Sequence, residues 1–579
     1  MRLLRTMILA LAVLMTGTAV AQKGTKNFAN MKVAKQGTTE YEAQRQAAIE
    51  ALDTVIYIAG NQDLRKKVFG EKTTLVTDQL LKFVDDVCEK FKNDPVLMSA
   101  IAESFFTRYG NQIYGERRFD ELKKMHPTFV DAYINEGRLW HALAYRPNEE
   151  GKIVRDSAML AKARVQFDSA KVVMPKNPEP YLVWMRLQAK YDDADADAEI
   201  EKLKKAIPGY PADLEAARYY NTIAQGDYNY LLLNALNHYE KVNVATLDPT
   251  NLAQYSLLCN RANGKQYWER GLDLAKAGIK KDPNMITLYR FGLWNAGKAE
   301  KWDDAVEMGM QFFEKGDSIE KTTADYKWMA TARLEREEYE DALQLLKREI
   351  EIPSITAKDK SDALGDMVDC YRRLGDLDEA TRAFGQFESF RRANNLQMEA
   401  AHYQLLFNAY SDIVLDSAYA VSERQHAYEK YDSIVRLAIA ASPNYTGMLS
   451  FNDMGRVLVY AQISSTGDNN EWLQHPKIEE VAKYCIEVNK AYQSTMNQFE
   501  IPVNDTYYLM FAYRYLLEFY VQTDRQEEAY RVSEIMLDMP MAIELTGLSE
   551  SRVKDYTNYT SRAEQISSVF GKKYGKKKR

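Results

Sequence analysis

The stretch LGDLDEATRAF, residues 374–384, places a Gly-Asp turn before an acidic pair, a small residue at Ala380 and an aromatic residue four positions later. Two other stretches carry nearly the same arrangement, with alanine at the matching position: EKWDDAVEMG at 300–309 and EEYEDALQLL at 337–346. A pattern of turn, acidic pair and small residue that recurs along a chain predicts one structural unit used several times.

The small residue of this pattern gives the length of the unit. Aligned copies fall at spacings of 34, 37 and 38 residues, at Gly271, Ala305, Ala342 and Ala380. A tryptophan, tyrosine or leucine stands three residues before each one, and an apolar stripe with helical spacing lies upstream, as at Tyr255, Leu258 and Cys259. Each unit is therefore predicted to be two antiparallel helices, with the small residue where two helices approach closely.

The composition agrees with an all-helical chain. Its 579 residues are 46% hydrophobic and 27% charged, which favours a folded, soluble protein of several domains or a repeat array. Tyrosine occurs 38 times, against 27 glycines and 15 prolines, so turn residues are scarce. We expect long helices joined by short connections.

The repeated unit resembles the tetratricopeptide repeat (TPR) family. Residues 251–284, NLAQYSLLCNRANGKQYWERGLDLAKAGIKKDPN, fit its 34-residue frame almost throughout, including the closing Asp-Pro-Asn. Residues 161–178 and 520–540 are similar to parts of the frame, and the resemblance extends over about 94–540. It implies an all-α, right-handed superhelical solenoid of antiparallel helix pairs.

The predicted organisation follows from where the pattern begins, loosens and ends. Loops are expected to project from the stack at 144–156 and 464–476. We predict these segments: a signal peptide at 1–21, a disordered leader at 22–38, N-terminal capping helices at 39–93, TPR-like repeats at 94–395, divergent repeats at 396–541, a C-terminal capping helix at 542–570 and a basic tail at 571–579.

The N-terminus is typical of a secretory signal. Arg2 and Arg5 precede the apolar run 7–15, and Ala19-Val20-Ala21 forms a small-x-small cleavage site before Gln22. The alternative is an uncleaved anchor, but the run is too short to span about 30 Å of hydrocarbon. We expect export, to the periplasm or beyond, of the kind seen in an exported bacterial, Bacteroidota-like TPR protein.

The charge pattern argues against nucleic acid as a partner. The formal net charge is −7, and basic residues are concentrated only at the C-terminus. A solvated, frayed terminus explains that run, and weak contact with an anionic membrane is the alternative. Its cations are Lys572, Lys573, Lys576, Lys577, Lys578 and Arg579.

Residues for catalysis or metal binding are scattered. The six histidines are never closer than 15 positions, so no two share a helical face, and phosphate-loop and nucleophile-elbow motifs are missing. Asp193, Asp195 and Asp197 begin like a calcium loop, but Ala198 and Lys204 break it, and an acidic helix start explains them. We predict a protein without enzymatic activity, metal or cofactor.

The four cysteines are predicted to be free. They stand at 88, 259, 370 and 485, three or more units apart, and in a stack each unit touches only its neighbours. Asp-Ser or Asp-Thr pairs followed by a small or apolar residue, such as Asp156-Ser157 and Asp416-Ser417, resemble the O-glycosylation acceptor of Bacteroidota, and helix capping explains them without sugar.

The resemblance also implies a partner-binding groove lined by the first helix of each unit. The matching positions in this chain include Asn260, Asn263, Arg290, Trp294, Lys327, Thr331, Asp369 and Arg372. Chaperone-binding TPR proteins use a clamp of lysine and asparagine, and here Asn260 matches but Ser256 stands where the lysine is needed. A C-terminal Glu-Glu-Val-Asp partner is therefore not implied.

We predict that Arg290, Trp294 and Lys327 form a central patch for an acidic ligand, since two cations and an aromatic side chain are typical of binding hot spots. The alternative is that Trp294 packs into the next unit and both cations are solvated. The predicted function is a scaffold or adaptor for a protein or peptide in envelope assembly or maintenance. Two further readings remain, a glycan- or peptidoglycan-processing enzyme with its site in the C-terminal half and an assembly factor held at the membrane by the tail.

Overall fold

A computed structural model of the chain describes residues 31–63, 66, 73–465, 470–498, 506–539 and 549–575. The described residues form 25 α-helices and one two-stranded hairpin, so the predicted all-α class is confirmed. The chain divides into two compact units, one ending at Leu247 and the other beginning at Asp248. The boundary lies inside the segment predicted as one continuous array.

The first unit contains ten of the helices. In four consecutive pairs, α3/α4 to α9/α10, the two helices pack against each other, and α1 and α2 pack together at the N-terminal end. The helices are α1 (Thr39–Gly60), α2 (Thr73–Lys90), α3 (Pro95–Ser104), α4 (Gln112–Met125), α5 (Val130–Ala144), α6 (Ser157–Val173), α7 (Glu179–Gln188), α8 (Asp193–Ala206), α9 (Ala212–Ile223) and α10 (Leu232–Glu240).

The predicted loop at 144–156 is a β-hairpin, which the sequence reading missed. Strand β1 (Tyr145–Pro147) pairs antiparallel with β2 (Ile153–Arg155). The side-chain oxygen of Asn148 accepts hydrogen bonds from the backbone amides of Glu150 and Lys152, at 3.1 and 2.9 Å, and so closes the turn. A run of three residues per strand is too short for a clear alternating pattern.

The second unit contains fifteen helices, of which the first fourteen form seven consecutive pairs and α25 closes the series. They are α11 (Pro249–Arg261), α12 (Lys265–Lys281), α13 (Ile286–Lys298), α14 (Trp302–Lys315), α15 (Thr323–Glu335), α16 (Tyr339–Glu349), α17 (Ala357–Arg373), α18 (Leu377–Ala393), α19 (Ala400–Leu415), α20 (Val421–Ala441), α21 (Thr446–Ser464), α22 (Pro476–Gln498), α23 (Thr506–Gln522), α24 (Gln526–Asp538) and α25 (Glu550–Tyr574).

The repeated turn in the sequence is a Schellman motif between the two helices of a pair. Glu300, Glu337 and Gly375 have left-handed backbone, with φ of 60°, 61° and 78°. The next amide donates to the carbonyl five residues back, as from Asp376 to Tyr371 at 3.0 Å. Such a turn ends the first helix and satisfies its last carbonyls, so the second helix starts at once and packs antiparallel.

The predicted small residues lie at the contacts between helices. Gly271, Ala305, Ala342 and Ala380 fall in α12, α14, α16 and α18, and the three alanines are completely buried. A Cβ atom on Gly271 would lie 2.5 Å from Oδ1 of Asn295 in α13, so only glycine permits this approach. The predicted close packing is confirmed there.

Within each unit, a first helix also contacts the first helix of the next pair. In the second unit this continuous layer is formed by α11, α13, α15, α17, α19, α21, α23 and α25. We call it the first-helix layer. The resemblance assigns the groove to side chains of these helices.

Several predicted features lie wholly or partly outside the described residues. These are the signal peptide at 1–21, the leader up to residue 30, residues 466–469 of the second loop, residues 540–548 and the last four cations of the tail. Residues 31–38 were predicted to be disordered, but the backbone carbonyl of Met31 accepts a 2.9 Å bond from Lys90 and the amide of Ala34 donates to Gln44 at 2.9 Å.

The end of the chain differs from the prediction in a similar way. Helix α25 continues to Tyr574, so Lys572 and Lys573 lie on its last turn, and Lys573 donates a 3.1 Å hydrogen bond to Gln526. Across the ranges described, no helix combines the length and apolar character needed to cross a membrane.

Candidate functional site

Ser256, on the first helix of this layer, is used in helix packing. Ser256 is completely buried and donates to the backbone carbonyl of Gly271 at 2.8 Å. The side-chain amide of Asn295 reaches back from α13 and donates to the hydroxyl and the carbonyl of Ser256, at 3.1 and 3.0 Å. Buried polar groups of this kind require such partners, so this position of α11 holds two helices together.

Asn260 and Asn263, both predicted groove residues, are not presented as expected. Asn260 is buried, and its backbone carbonyl and side-chain oxygen accept from Lys298 at 2.7 and 3.3 Å. Burial lowers the pKa of Lys298. Helix α11 ends at Arg261, so Asn263 lies in the following turn and not on the helix face. Both positions differ from the prediction. Asn260 is covered by α13, and Asn263 lies beyond the end of α11.

Arg290 and Trp294 converge on one buried carboxylate, that of Asp325. The guanidinium of Arg290 donates from Nε to Oδ1 at 2.9 Å and from Nη2 to Oδ2 at 2.6 Å, while the indole of Trp294 donates to Oδ1 at 2.9 Å. Asp325 is completely buried and also forms the capping box of α15, accepting from the amide and hydroxyl of Thr322 at 2.7 and 3.0 Å.

These contacts fill the hydrogen-bonding capacity of the Asp325 carboxylate, which has about four acceptor sites. Arg290 is only 15% exposed in its side chain. It therefore differs from both sequence readings, because it is neither a free cation for an acidic ligand nor a solvated one. Its acidic partner, Asp325, lies on α15 in the next unit.

Lys327, the third member of the predicted patch, faces a different environment. It is half-buried on α15, and its charge acts on the carboxyl groups of Glu349 and Asp366. Glu349 ends α16, is 1% exposed, and has an Oε2 atom buried without a hydrogen-bond partner. This patch thus combines one cation with an excess of acids.

Helix α17 supplies most of the acids. Asp359, Asp362, Asp366 and Asp369 follow one another at intervals of three and four residues, which puts them along one side of the helix. Asp369 is neutralised by its own helix, since Nε of Arg372 and Nε of Arg373 donate to it at 3.0 and 2.7 Å.

Crowded carboxyl groups raise one another's pKa. Burial, then the charge of Asp366, raises the pKa of Glu349 to about 8. Burial, then the charge of Asp362, raises the pKa of Asp366 to about 6. Lys327 acts in the opposite direction in both cases, but the shifts of both pKa values remain upward because burial and the neighbouring carboxylates together outweigh its charge.

Thr331, the remaining predicted residue, is half-buried on α15. Of the predicted groove set, Lys327, Thr331, Asp369 and Arg372 therefore lie on the neighbouring first helices α15 and α17, whereas Arg290 and Trp294 are bonded to Asp325. The reading by repeat position missed Glu349 and Asp366. The four evenly spaced aspartates of α17 are the signal that could have indicated them.

The cysteines, one buried acid of the divergent half and the aspartates of α8 are the other residues with possible chemistry. All four cysteines are free and buried, as predicted. In the divergent half, Asp453 and Tyr428 are completely buried, and the hydroxyl of Tyr428 has no hydrogen-bond partner among the described residues. Asp192 caps α8 and Asp193 and Asp195 lie in its first turn, which is the acidic helix start expected from the sequence.

No protein-family model matches the chain, and no curated protein sequence matches it either. Among solved structures, the chain is similar to Naa15/Naa10 bound to HypK-THB, with 13% identity, a TM-score of 0.28 and coverage of 91% of this chain and 79% of that one.

A Signal Transduction ATPase with Numerous Domains protein with a tetratricopeptide repeat sensor from Pyrococcus horikoshii has 12% identity and a TM-score of 0.30, over 90% of this chain and 72% of that one. The P58(IPK) TPR domain has 10% identity and a TM-score of 0.19, over 84% and 100%. Likeness at this level assigns neither family nor activity. The consecutive helix pairs themselves establish the fold.

Proposed function

We propose that the chain is a non-enzymatic, exported scaffold that binds a protein or peptide partner on its first-helix layer, in the assembly or maintenance of a bacterial cell envelope. Export is supported by Arg2, Arg5, the apolar run that follows and Ala19-Val20-Ala21. A partner-binding role is supported by the architecture, because stacked helix pairs form extended surfaces that suit polypeptide ligands.

One observation carries the proposal. On α15 and α17 the first-helix layer carries Lys327, Asp362 and Asp366, none of which forms an ion pair among the described residues, whereas the charge equivalent to Lys327 one unit earlier, Arg290, is paired with Asp325. Natural sequences are locally consistent except where function requires otherwise. A group of carboxyls with one nearby lysine reduces stability in the free protein, so a binding role explains why it is present.

The proposed site is accordingly smaller than the groove predicted from repeat positions. It retains Lys327, Thr331, Asp369 and Arg372 and adds Glu349, Asp362 and Asp366. Arg290, Trp294 and Asn260 support it by fixing how successive first helices pack. A weak contact of the lysine-rich C-terminus with an anionic membrane is compatible with this role and is a separate proposal.

Photo-cross-linking tests where the partner binds. Benzoylphenylalanine is placed at Thr331 on α15 or, as the matched control, at Gln344, an exposed residue of the second helix α16. Both proteins are irradiated in envelope extract, after thermal melting has shown that each is folded. We expect one discrete adduct from position 331 and none from position 344.

Two results would contradict the proposal. Equal adducts from both positions would show that capture is unspecific, and a discrete adduct from 344 alone would place the partner on the second helices. Turnover of a peptidoglycan or polysaccharide substrate by the purified chain would overturn its non-enzymatic part.

A further inference from the structure

The row of aspartates on α17 has the dimensions of a short peptide. We define the acidic stripe as Asp359, Asp362, Asp366 and Asp369 of α17 together with Glu349 at the end of α16. From 359 to 369 the helix rises about 15 Å, at 1.5 Å per residue. In an extended peptide, side chains on one side repeat about every 7 Å, so the stripe matches two or three of them.

The stripe is short of positive charge. Within the described ranges, no lysine or arginine lies within ion-pair distance of Glu349, Asp359, Asp362 or Asp366. Lys327 is the cation that acts on Glu349 and Asp366 from α15. Asp359 accepts a 2.6 Å hydrogen bond from the hydroxyl of Thr356, which leaves its charge in place.

The neighbouring pair of helices does not supply the missing charge. Arg391 of α18 donates to the hydroxyl of Ser361 at 2.8 Å and to the carbonyl of Gln397 at 2.5 Å. Burial, and then Arg391, lowers the pKa of His402 on α19, which disfavours a positive charge on its ring. Lys327 of α15, Arg391 of α18 and His402 of α19 therefore do not neutralise the stripe.

Glu349 supports a ligand at the stripe independently of the charge count. Its Oε2 atom is buried and has no hydrogen-bond partner among the described residues, and the charges of Asp359, Asp362 and Asp366 act on its carboxyl group. An unsatisfied buried acceptor costs about 1 to 3 kcal/mol. A donor that enters beside the stripe would remove that cost.

A row of separated carboxyls suits a chain of cations better than a single ion. A calcium or zinc ion needs several ligand oxygens or side chains around one point. In the part of the chain that the structure describes, no group of three or more histidine, cysteine, aspartate or glutamate side chains has that arrangement.

We infer that the acidic stripe binds an extended segment of a partner protein that carries lysine or arginine at alternate positions. This inference rests on the proposed scaffold function and names the chemistry of its partner. Lysine and arginine side chains donate charge-assisted hydrogen bonds to carboxylates, which are stronger than neutral ones. Asp369, at the C-terminal end of the stripe, is already paired with Arg372 and Arg373, so the carboxyls left for the segment are those of Asp359, Asp362, Asp366 and Glu349.

The inference is tested by fluorescence anisotropy with the full mature chain and two labelled peptides. The probe is GKGKGKG, and its control is the same peptide with all three lysines acetylated, which removes their charge. We expect the lysine peptide to bind and the acetylated peptide not to bind. Because cations favour ionised carboxyls, affinity should increase between pH 6 and pH 8, where Asp366 and Glu349 titrate.

Two double variants separate the stripe from general electrostatics. Asp362→Asn with Asp366→Asn should weaken binding of the lysine peptide by about tenfold or more. Glu340→Gln with Asp378→Asn makes the same change in net charge at exposed positions of α16 and α18, and should weaken it by less than about twofold. Both replacements in the stripe nearly conserve shape, and thermal melting confirms folding.

Four outcomes would overturn the inference. Equal loss in both double variants would show unspecific attraction, and stripe-dependent binding of Ca²⁺ by calorimetry without peptide binding would assign a metal. Self-association that disappears when the chain ends at Gly575 would assign the stripe to the lysine-rich end of a second copy. If the peptide fails to bind while position 331 still cross-links a partner, the scaffold function stands and only the chemistry of its partner is wrong.

Discussion

The guanidinium of Arg290 holds both carboxylate oxygens of Asp325, with Nε 2.9 Å from Oδ1 and Nη2 2.6 Å from Oδ2. The arginine belongs to α13 and the aspartate to α15, so the pair joins successive first helices. A charge at a position that lines the groove in the TPR pattern is here part of the packing between units. The free charge lies one unit further along, on the acidic stripe.

This pair should contribute strongly to stability. Asp325→Asn removes one acceptor of Arg290 and weakens the capping box with Thr322, and we expect it to lower the free energy of unfolding by about 3 kcal/mol. Urea unfolding followed by tryptophan fluorescence measures the change. Asp303→Asn, which disrupts an ion pair at a side chain that is 92% exposed, is the control and should cause no measurable change. Equal losses of stability in Asp325→Asn and Asp303→Asn would show that the Arg290–Asp325 pair does not stabilise the fold.

The turn within each pair depends on left-handed backbone. Gly375 has a φ of 78°, and a Cβ atom there would meet no other atom within 4 Å, so Gly375→Ala tests backbone strain alone. We expect a loss of about 1 kcal/mol. Gly385→Ala, also without close neighbours but inside α18, should raise stability by up to about 1 kcal/mol. A loss at both positions would mean that the turn geometry is not the cause.

The contact at Gly271 should show coupling with Asn295. A methyl group on Gly271 would lie 2.5 Å from the side-chain amide that bonds Ser256, so Gly271→Ala should cost about 1 to 3 kcal/mol. In a chain that already carries Asn295→Ala, the same change should cost much less, because the clashing amide is gone. Thermal melting of the four proteins of this cycle gives the coupling. Additive effects would contradict the close approach of α12 and α13.

The repeat itself could be read from the sequence because it depends on local features. The spacing of Ala305, Ala342 and Ala380 indicated the second helices, and all three alanines are completely buried. The turn residues before them are equally local. A short period, helix-stopping turns and small residues act within one unit, so the all-α fold and its pairing could be predicted.

The site could be predicted only in part, because its contacts join different units. Arg290 and Asp325 are 35 positions apart, and Asn295 reaches Ser256 across 39. No pattern within one unit reveals which charge its neighbour will neutralise. Repeat position therefore located Lys327 correctly on a first helix but did not show that its surroundings are acidic.

Glu349 should make stability depend on pH. Its folded pKa is raised to about 8, so the folded protein holds a proton that the unfolded chain releases near its ordinary pKa. The fold is therefore favoured at low pH and loses this contribution as pH rises towards 8. Glu349→Gln should raise the melting temperature at pH 8 and change it little at pH 5. The control, Glu340→Gln at an exposed position of the same helix, should show no such difference.

The most direct test of the central claim is amide hydrogen exchange of the chain with and without a purified partner recovered by cross-linking at position 331. If the partner binds on the first-helix layer, exchange should slow in α15 and α17, residues 323–335 and 357–373, and remain unchanged in α18, residues 377–393, and in α16 before its last turn, residues 339–345. Slowing confined to α16 and α18 would place the partner on the second helices and contradict the account.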